Sequence, residues 1–403
     1  MNTFSHIRIK GWRQFECVDI DLQSQVTMLT GRNCTGKSTV LNILAEHFGW
    51  SPGFVSTPFL ANKTGNFIFS DFDPTYINNI APDKRVNIGS IDYSNNSSIS
   101  IYSDIIVGPN YKLIMDERQD VDGIHIPSHR PPVTYFKVTS IPTDPKQIRS
   151  YLREFQQNLF ESQTKSASSN PGVVIKKSLL SLATFGPGNE AVLPNNEYKN
   201  LYDDFQTILR EIIPDNIGFL KLEIRLPDVV LITRSGDFSL DSMSGGINDL
   251  ILMAWHIHMY SLDKKSLTVI IDEPENHLHP SIQRSLMPSF SKAFPKHKFI
   301  IATHSPIIVS SLKDSSVYGF LFNSNNKVST LHLDESQLSG TPNKILREIF
   351  DVPSNLPIWV EDQIRQTLES IKELTFEQKN IRLIQLLDKL GFTDQITDID
   401  FEK

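Results

Sequence analysis

The sequence predicts an α/β protein, with a mixed-sheet N-lobe, a parallel-sheet core, a helical insertion and a helical C-terminal tail. Three observations carry that prediction. Short strands open the chain and run into a Gly-rich turn, "GRNCTGKST", that leads into a helical repeat. The continuous apolar runs "LTVII" and "KFIIATH" end in polar residues, as parallel strands buried on both faces do. Between these two regions lie long stretches of helical periodicity.

Residues 4 to 30 read as "IRIK", "VDIDL" and "VTMLT", with Val18, Ile20 and Leu22 alternating with acids. Leu41, Leu44, Ala45 and Phe48 then recur at helical spacing, and Gly49 stands where a helix end favours a left-handed residue. Residues 50 to 110 are rich in Asn, Ser, Asp and Gly, and runs such as "SISIYSDIIV" predict a small antiparallel sheet. From Asp144 the pattern turns helical ("PKQIRSYLREFQQNLF"), breaks at "SASSNPG" and "FGPGNEAVLPNN", and resumes in "YKNLYDDFQTILREII". The strands "LKLEIRL" and "DVVLITRSG" lead to "SLDSMSGGINDLILMAWHIHMY", a Ser/Gly turn opening a long helix. Two helices close the chain. One runs through Ile364, Leu368 and Ile371; the other starts at Thr375, with Gln378 as capping-box partner, and stops at Gly391.

A chain of 403 residues has room for two or three lobes at the usual ~100–200 residues each. Cys17 and Cys34 are too few for a disulfide framework, and "MNTFSHIRIKGW" lacks the order of a secretory signal, so a cytoplasmic setting is expected. The most apolar stretch, from Leu250, is interrupted by His256 and His258 and falls short of the ~20 residues a bilayer requires. It reads as a buried helix, and no membrane partner is expected. A net charge of −7 gives no global basic field, so DNA contact would need a local patch or a groove made by a dimer.

The turn Gly31–Thr39 matches GxxxxGK(S/T) between a strand and a helix, the context that gives the motif its meaning. Backbone N–H groups of such a loop wrap polyphosphate oxygens, Lys37 adds a point charge, and the Ser38 hydroxyl ligates Mg²⁺. Asp272 ends "LTVIID" at the Walker B position and holds the metal opposite Ser38. Glu273 follows directly, placed to orient and deprotonate an attacking water. His304 ends the next apolar run, where an imidazole can hydrogen-bond a γ-phosphate. Ser244, Gly245 and Gly246 open a helix and offer a second N–H-rich anion site. The stretch "ENHLHP" also admits a transition-metal reading, since alternate histidines beside carboxylates are plausible ligands.

In this order, P-loop, SGG helix, DE strand and His strand resemble ABC-type ATPases of the SMC, RecF and OLD group. "DEPENHLHP" and "ATHSP" are most similar to the branch with the OLD nucleases and the ATPase subunits of Septu and related bacterial anti-phage systems. The resemblance implies that Gly31, Asn33, Cys34, Thr35, Gly36, Lys37, Ser38 and Thr39 hold nucleotide, with ATP and Mg²⁺ as cofactors. It further implies that Ser244–Gly246 cap the γ-phosphate of another subunit, and that Asn276, His277, Leu278 and His279 form the D-loop between subunits. Cys34 departs from the commoner Gly or Ser, and Ile247 replaces the usual signature Gln or Glu. The implied organisation is residues 1–140 and 219–350 as the two parts of the ATPase domain, 141–218 as a helical insertion and 351–403 as a helical tail. That tail reads without a separate acidic metal cluster, so no intrinsic nuclease is expected.

The resulting expectation is an ATPase that works as a homodimer or higher oligomer and controls a separate effector, such as a nuclease, in anti-phage defence. A RecF-like DNA-repair clamp and a transporter ATPase are the alternatives. Binding to duplex DNA when ATP-loaded would single out the clamp, and membrane association the transporter.

Overall fold

The computed structural model describes residues 2–60, 65–72, 84–131, 134–143, 145–164, 171–262, 264–338, 345–347, 349–350 and 358–371, with a few positions up to 389. The chain forms two compact units, Met1–Pro342 and Asn343–Lys403.

The first unit is organised by one sheet. Its N-terminal strands are β1 (Phe4–Trp12), β2 (Phe15–Asp21) and β3 (Val26–Gly31). Next come β4 (Arg85–Tyr93), β5 (Ser98–Asp104), β6 (Ile114–Met115) and β7 (Gly123–Ile126). A separate three-stranded antiparallel sheet holds β8 (Phe219–Arg225), β9 (Asp228–Thr233) and β10 (Gly236–Ser239). The main sheet is completed by β11 (Thr268–Asp272), β12 (Lys298–Thr303), β13 (Ser316–Phe322) and β14 (Val328–Leu333). Its eleven strands run in the order β6-β5-β4-β1-β2-β14-β13-β3-β12-β11-β7.

Strands β13, β3, β12, β11 and β7 are parallel. Their sequences explain this. Every residue of β3, "VTMLTG", is buried, as are the first four of β11, "TVII". Helices cover both faces of such a sheet, so hydrophobic runs replace alternation. At the other end, β2, β1, β4, β5 and β6 are antiparallel. The two longest strands of the segment expected as a small antiparallel sheet, β4 and β5, thus lengthen the main sheet through β1, while shorter strands at Phe54–Val55, Thr57–Leu60 and Phe67–Ser70 form separate two-stranded pairs.

The P-loop helix α1 (Lys37–Ala45) continues as a tight turn to Phe48 and stops at Gly49, whose φ of 79° is left-handed. The expected helical insertion folds as α2 (Pro145–Thr164), α3 (Pro171–Phe185) and α4 (Asn196–Ile212). Buried Lys176 of α3 pins it to the segment before the Ser/Gly turn, with Nζ 2.5 Å from Asp228 and 2.5 Å from Asp241. Helix α5 (Gly245–Tyr260) is buried almost all round, in keeping with its largely apolar sequence. Helix α6 (Pro280–Ala293) packs on α4 and follows the segment Asp272–His279. No helix among the described residues is long and apolar enough to cross a membrane.

In the second unit a helix spans Ile358–Ser370, with Val360 and Ile364 buried. The helix expected from Thr375 to Gly391 falls mostly outside the described residues.

Candidate functional site

Register brings the motifs to one edge. Asp272 pairs with Ala302 and Thr303 with Thr30, so β3, β11 and β12 end level, at their carboxyl ends. In an open parallel sheet that edge is where ligands bind.

The P-loop needs its glycines. A Cβ on Gly31 would lie 2.5 Å from the Phe320 carbonyl oxygen, and one on Gly36 2.4 Å from the Phe15 ring. Gly36 (φ 91°) precedes α1 without a side-chain cap, which leaves the first-turn N–H groups open to an anion. Cys34 holds φ 62°, a conformation glycine adopts at no steric cost, which accounts for glycine being commoner there. Lys37 is buried and folds back, with Nζ donating to the Gly31 carbonyl at 3.0 Å and the Arg32 carbonyl at 2.9 Å. Burial lowers its pKa to about 8, against the pull of Asp272, Glu273 and Glu275.

The Ser38 hydroxyl donates to Asp272 Oδ1 at 3.1 Å, so the two expected metal-side groups are in direct contact. A hydroxyl and a carboxylate at the mouth of a phosphate-binding loop suit a hard, oxygen-seeking cation such as Mg²⁺. Burial, with repulsion from Glu273, raises the Asp272 pKa to about 6 against the Ser38 hydrogen bond. The folded state therefore holds this proton more tightly than the unfolded chain does. The associated stability is complete below about pH 4 and is lost as pH rises through about 6. Asp272→Asn is accordingly expected to stabilise the nucleotide-free protein by about 3 kcal/mol at pH 8 and by little at pH 4. Urea denaturation at the two pH values checks this, and an equal shift at both would refute it.

Glu273 occupies the left-handed region at φ 48°, and its N–H donates to the Ala302 carbonyl at 2.8 Å. Its carboxylate is bracketed, with Oε1 3.7 Å from His304 Nε2 and Oε2 accepting from Asn276 Nδ2 at 3.0 Å. Burial and the Lys37 charge lower the His304 pKa, while Glu273 and the Gly31 carbonyl act the other way. The residues flanking His304 hold the loop. Thr303 Oγ1 donates to Glu275 at 2.9 Å, the His304 N–H donates to the same oxygen at 2.5 Å, and the Ser305 hydroxyl donates to Gln283 at 2.6 Å.

The two histidines of "ENHLHP" face different neighbours. His277 (φ 64°) places Nδ1 3.0 Å from Asp249 on α5, while His279 caps α6, its Nδ1 meeting Ser281 Oγ at 2.8 Å. Among the described residues, no group of three or more His, Cys, Asp or Glu side chains is arranged to hold a metal ion. Leu278 is buried. Gly246 packs so closely on this turn that a Cβ would lie 2.7 Å from the His277 carbonyl oxygen. Ser244 and Gly245 are exposed, and the Ser244 hydroxyl makes no capping hydrogen bond. Ile247 points into the core.

Sequence reasoning missed three residues here. Glu275 joins the β11 turn to the β12 end, as described above. Arg130, its side chain fully buried, donates from Nη1 to the Pro127 carbonyl at 3.1 Å and from Nη2 to the Glu273 carbonyl at 3.3 Å. Its Nε forms an ion pair at 3.3 Å with buried Asp249, the carboxylate that also meets His277. One buried charge pair thus ties the end of β7, the base of the Ser/Gly helix and the turn after β11. The only signal was an arginine in "SHRPP" and an acid in the first turns of a helix, both of which read as surface features.

Fold and site together have the form of a P-loop nucleotide-binding domain. Two family models agree: an AAA domain matches residues 6–119, which hold the P-loop, and an AAA ATPase domain matches residues 137–309, which hold Ser244–His304. The chain is similar over part of its length to two retron probable ATPases and a Septu protein. It is 30% identical over 111 residues to the Retron Ec83 probable ATPase of Escherichia coli, covering 28% of this chain and 19% of that protein. It is 27% identical over 137 residues to the Retron Vc95 probable ATPase of Vibrio cholerae (30% and 26%), and 33% identical over 90 residues to the Septu protein PtuA of Bacillus mycoides (21% and 13%). The matches thus span about a quarter or less of those relatives' length. Among solved structures, the SMC head domain of Thermotoga maritima aligns over 82% of this chain and 99% of its own, at 13% identity and a TM-score of 0.41. An Smc head domain from Pyrococcus furiosus, bound to the C-terminal domain of ScpA, aligns over 87% and 100%, at 14% identity and 0.45.

Proposed function

We propose that this chain is the ATP-binding and hydrolysing component of a bacterial anti-phage defence complex. It works as a homodimer or higher homo-oligomer whose ATP-dependent closure controls a separate effector, such as a nuclease. Gly31 to Thr39 of one copy hold the triphosphate, and Ser244–Gly246 of another cap it. Ser38 and Asp272 hold Mg²⁺, which when bound neutralises charge on the phosphates. Glu273 takes the proton of the attacking water, positioned by Asn276 and His304. The D-loop residues Asn276–His279 link the two sites.

The observation that supports this reading is a cluster of the expected P-loop-side residues together with a Ser/Gly helix start left open. Ser38, Asp272, Glu273 and His304 meet at one sheet edge, while Ser244 and Gly245 stand exposed with no capping bond to occupy them. Ser244→Arg is expected to abolish turnover while leaving monomer folding intact. Lys37→Ala is expected to weaken nucleotide binding or turnover on the order of 10²-fold or more, the scale of losing one preorganised charge at a phosphate. Phosphate release and nucleotide titration measure both. Full turnover in Ser244→Arg would refute capping between subunits, and full binding and turnover in Lys37→Ala would refute the nucleotide site.

A further inference from the structure

A second concave site lies away from the P-loop edge. It is a half-enclosed cavity of about 240 Å³ where four elements meet: the end of the P-loop helix at Phe48–Trp50, strand β7, helix α2 and helix α5. The left-handed Gly49 ends the P-loop helix segment, and Trp50 then lies 4.7 Å from the His125 ring, centre to centre. Phe160 of α2 meets Trp50 edge-on at 5.1 Å and 88°. His256 of α5 closes the inner wall, with Gln156 adding an amide.

The polar groups of this cavity are unusual. His125 and His256 are 7% and 1% exposed, and His125 Nδ1 and both ring nitrogens of His256 meet no protein hydrogen-bond partner. Leaving a buried polar atom unpaired costs roughly 1–3 kcal/mol. Burial keeps both rings neutral, with pKa values lowered to about 3, so each offers one N–H donor and one lone-pair acceptor. Among the described residues, no Lys, Arg, Asp or Glu lines the cavity.

These features select a ligand. Aromatic walls favour a flat ring, and paired donor–acceptor imidazoles match the donor–acceptor edge of a heterocyclic amide or amidine. Without a lining cation a phosphate has no counter-charge, and the volume sits below the ~300–1,000 Å³ of ordinary drug-sized pockets. We infer that this cavity is a binding site for an uncharged nucleobase or nucleoside, which reports to the ATPase site through the helices and strand that form its walls. Recognition would join stacking on one of the perpendicular Trp50 and Phe160 rings, with the other meeting the ligand edge-on, to hydrogen bonds from His125, His256 and Gln156. The route to the ATPase is short in structure: α5 begins at Gly245, β7 leads to Arg130, and Trp50 follows the P-loop helix. This second, coupling half rests on the reading of the ATPase site given above, whereas the binding half does not.

The test uses the full chain carrying Lys37→Ala, so that the P-loop cannot report. Adenosine, guanosine, cytidine, thymidine, uridine and their free bases are titrated by calorimetry. Saturable one-site binding of at least one is expected, weakened roughly tenfold by Phe160→Ala, the loss of one stacking partner. Gln156→Leu, at a partly exposed position, serves as a second variant should Phe160→Ala unfold. No saturable binding by any probe, or binding unchanged by the folded variants, overturns the site. In the wild-type chain the bound nucleoside is expected to change ATP turnover at least about threefold, a modest allosteric coupling. Unchanged turnover with binding confirmed overturns the coupling. If the wild type hydrolyses no ATP at all, the ATPase reading fails, and the Lys37→Ala titration still decides the cavity.

Discussion

Glu273→Gln is expected to slow ATP turnover on the order of 10²–10⁴-fold, the range assigned to a general base, while ATP affinity stays within a few-fold of wild type. The substitution keeps the shape of the side chain and removes its ability to take a proton. Asn276 still finds an amide oxygen to donate to, the backbone turn at φ 48° is unchanged, and Ser38 and Asp272 are untouched. Binding and catalysis are therefore expected to separate, and on the proposed function an ATP-loaded oligomer is expected to accumulate. Phosphate release, nucleotide titration and size-exclusion light scattering with ATP measure the three effects. Turnover within threefold of wild type would move the base elsewhere, with His304 as the next group to examine.

The residues in that prediction were legible because their signals are local. A strand, a glycine-bearing loop and a helix within residues 26–45 identify the P-loop, and a buried apolar run ending in two acids identifies Asp272 and Glu273. Arg130 could not be read in this way. Its partner carbonyl at Glu273 is 143 residues distant, and only the parallel pairing of β7 with β11 brings the two together. Glu275 was hidden for a related reason, since the three acids of "DEPE" look alike until β12 arrives beside one of them. His277 and His279 read as D-loop residues from their place after Asp272 and Glu273; what the sequence does not show is that their rings part, one meeting Asp249 and the other capping α6. The sheet was legible strand by strand but not in its extent, because alternation in β4 and β5 gives a buried face without saying which neighbour supplies it.

Arg130→Met is expected to cost about 3–5 kcal/mol of stability, the range for breaking one side of a buried ion pair. Most of that cost is the carboxylate left behind. Asp249 is 6% exposed, and without Arg130 its remaining partner is His277, a ring that carries charge only when protonated. Removing both charges should therefore recover much of the loss, so that Arg130→Met with Asp249→Leu is more stable than Arg130→Met alone. Urea midpoints of the wild type, both single variants and the double variant give the coupling directly. The functional consequence is separate from the stability change. Arg130 also holds the Glu273 carbonyl at 3.3 Å, and Glu273 sits in a backbone conformation that a residue other than glycine adopts only under constraint. In the double variant, stability returns but this restraint does not, so turnover should stay depressed with nucleotide affinity near normal. Were turnover to recover together with stability, Arg130 would be a packing residue alone. A persistent defect in turnover would make it the group that positions the catalytic turn against the base of the Ser/Gly helix.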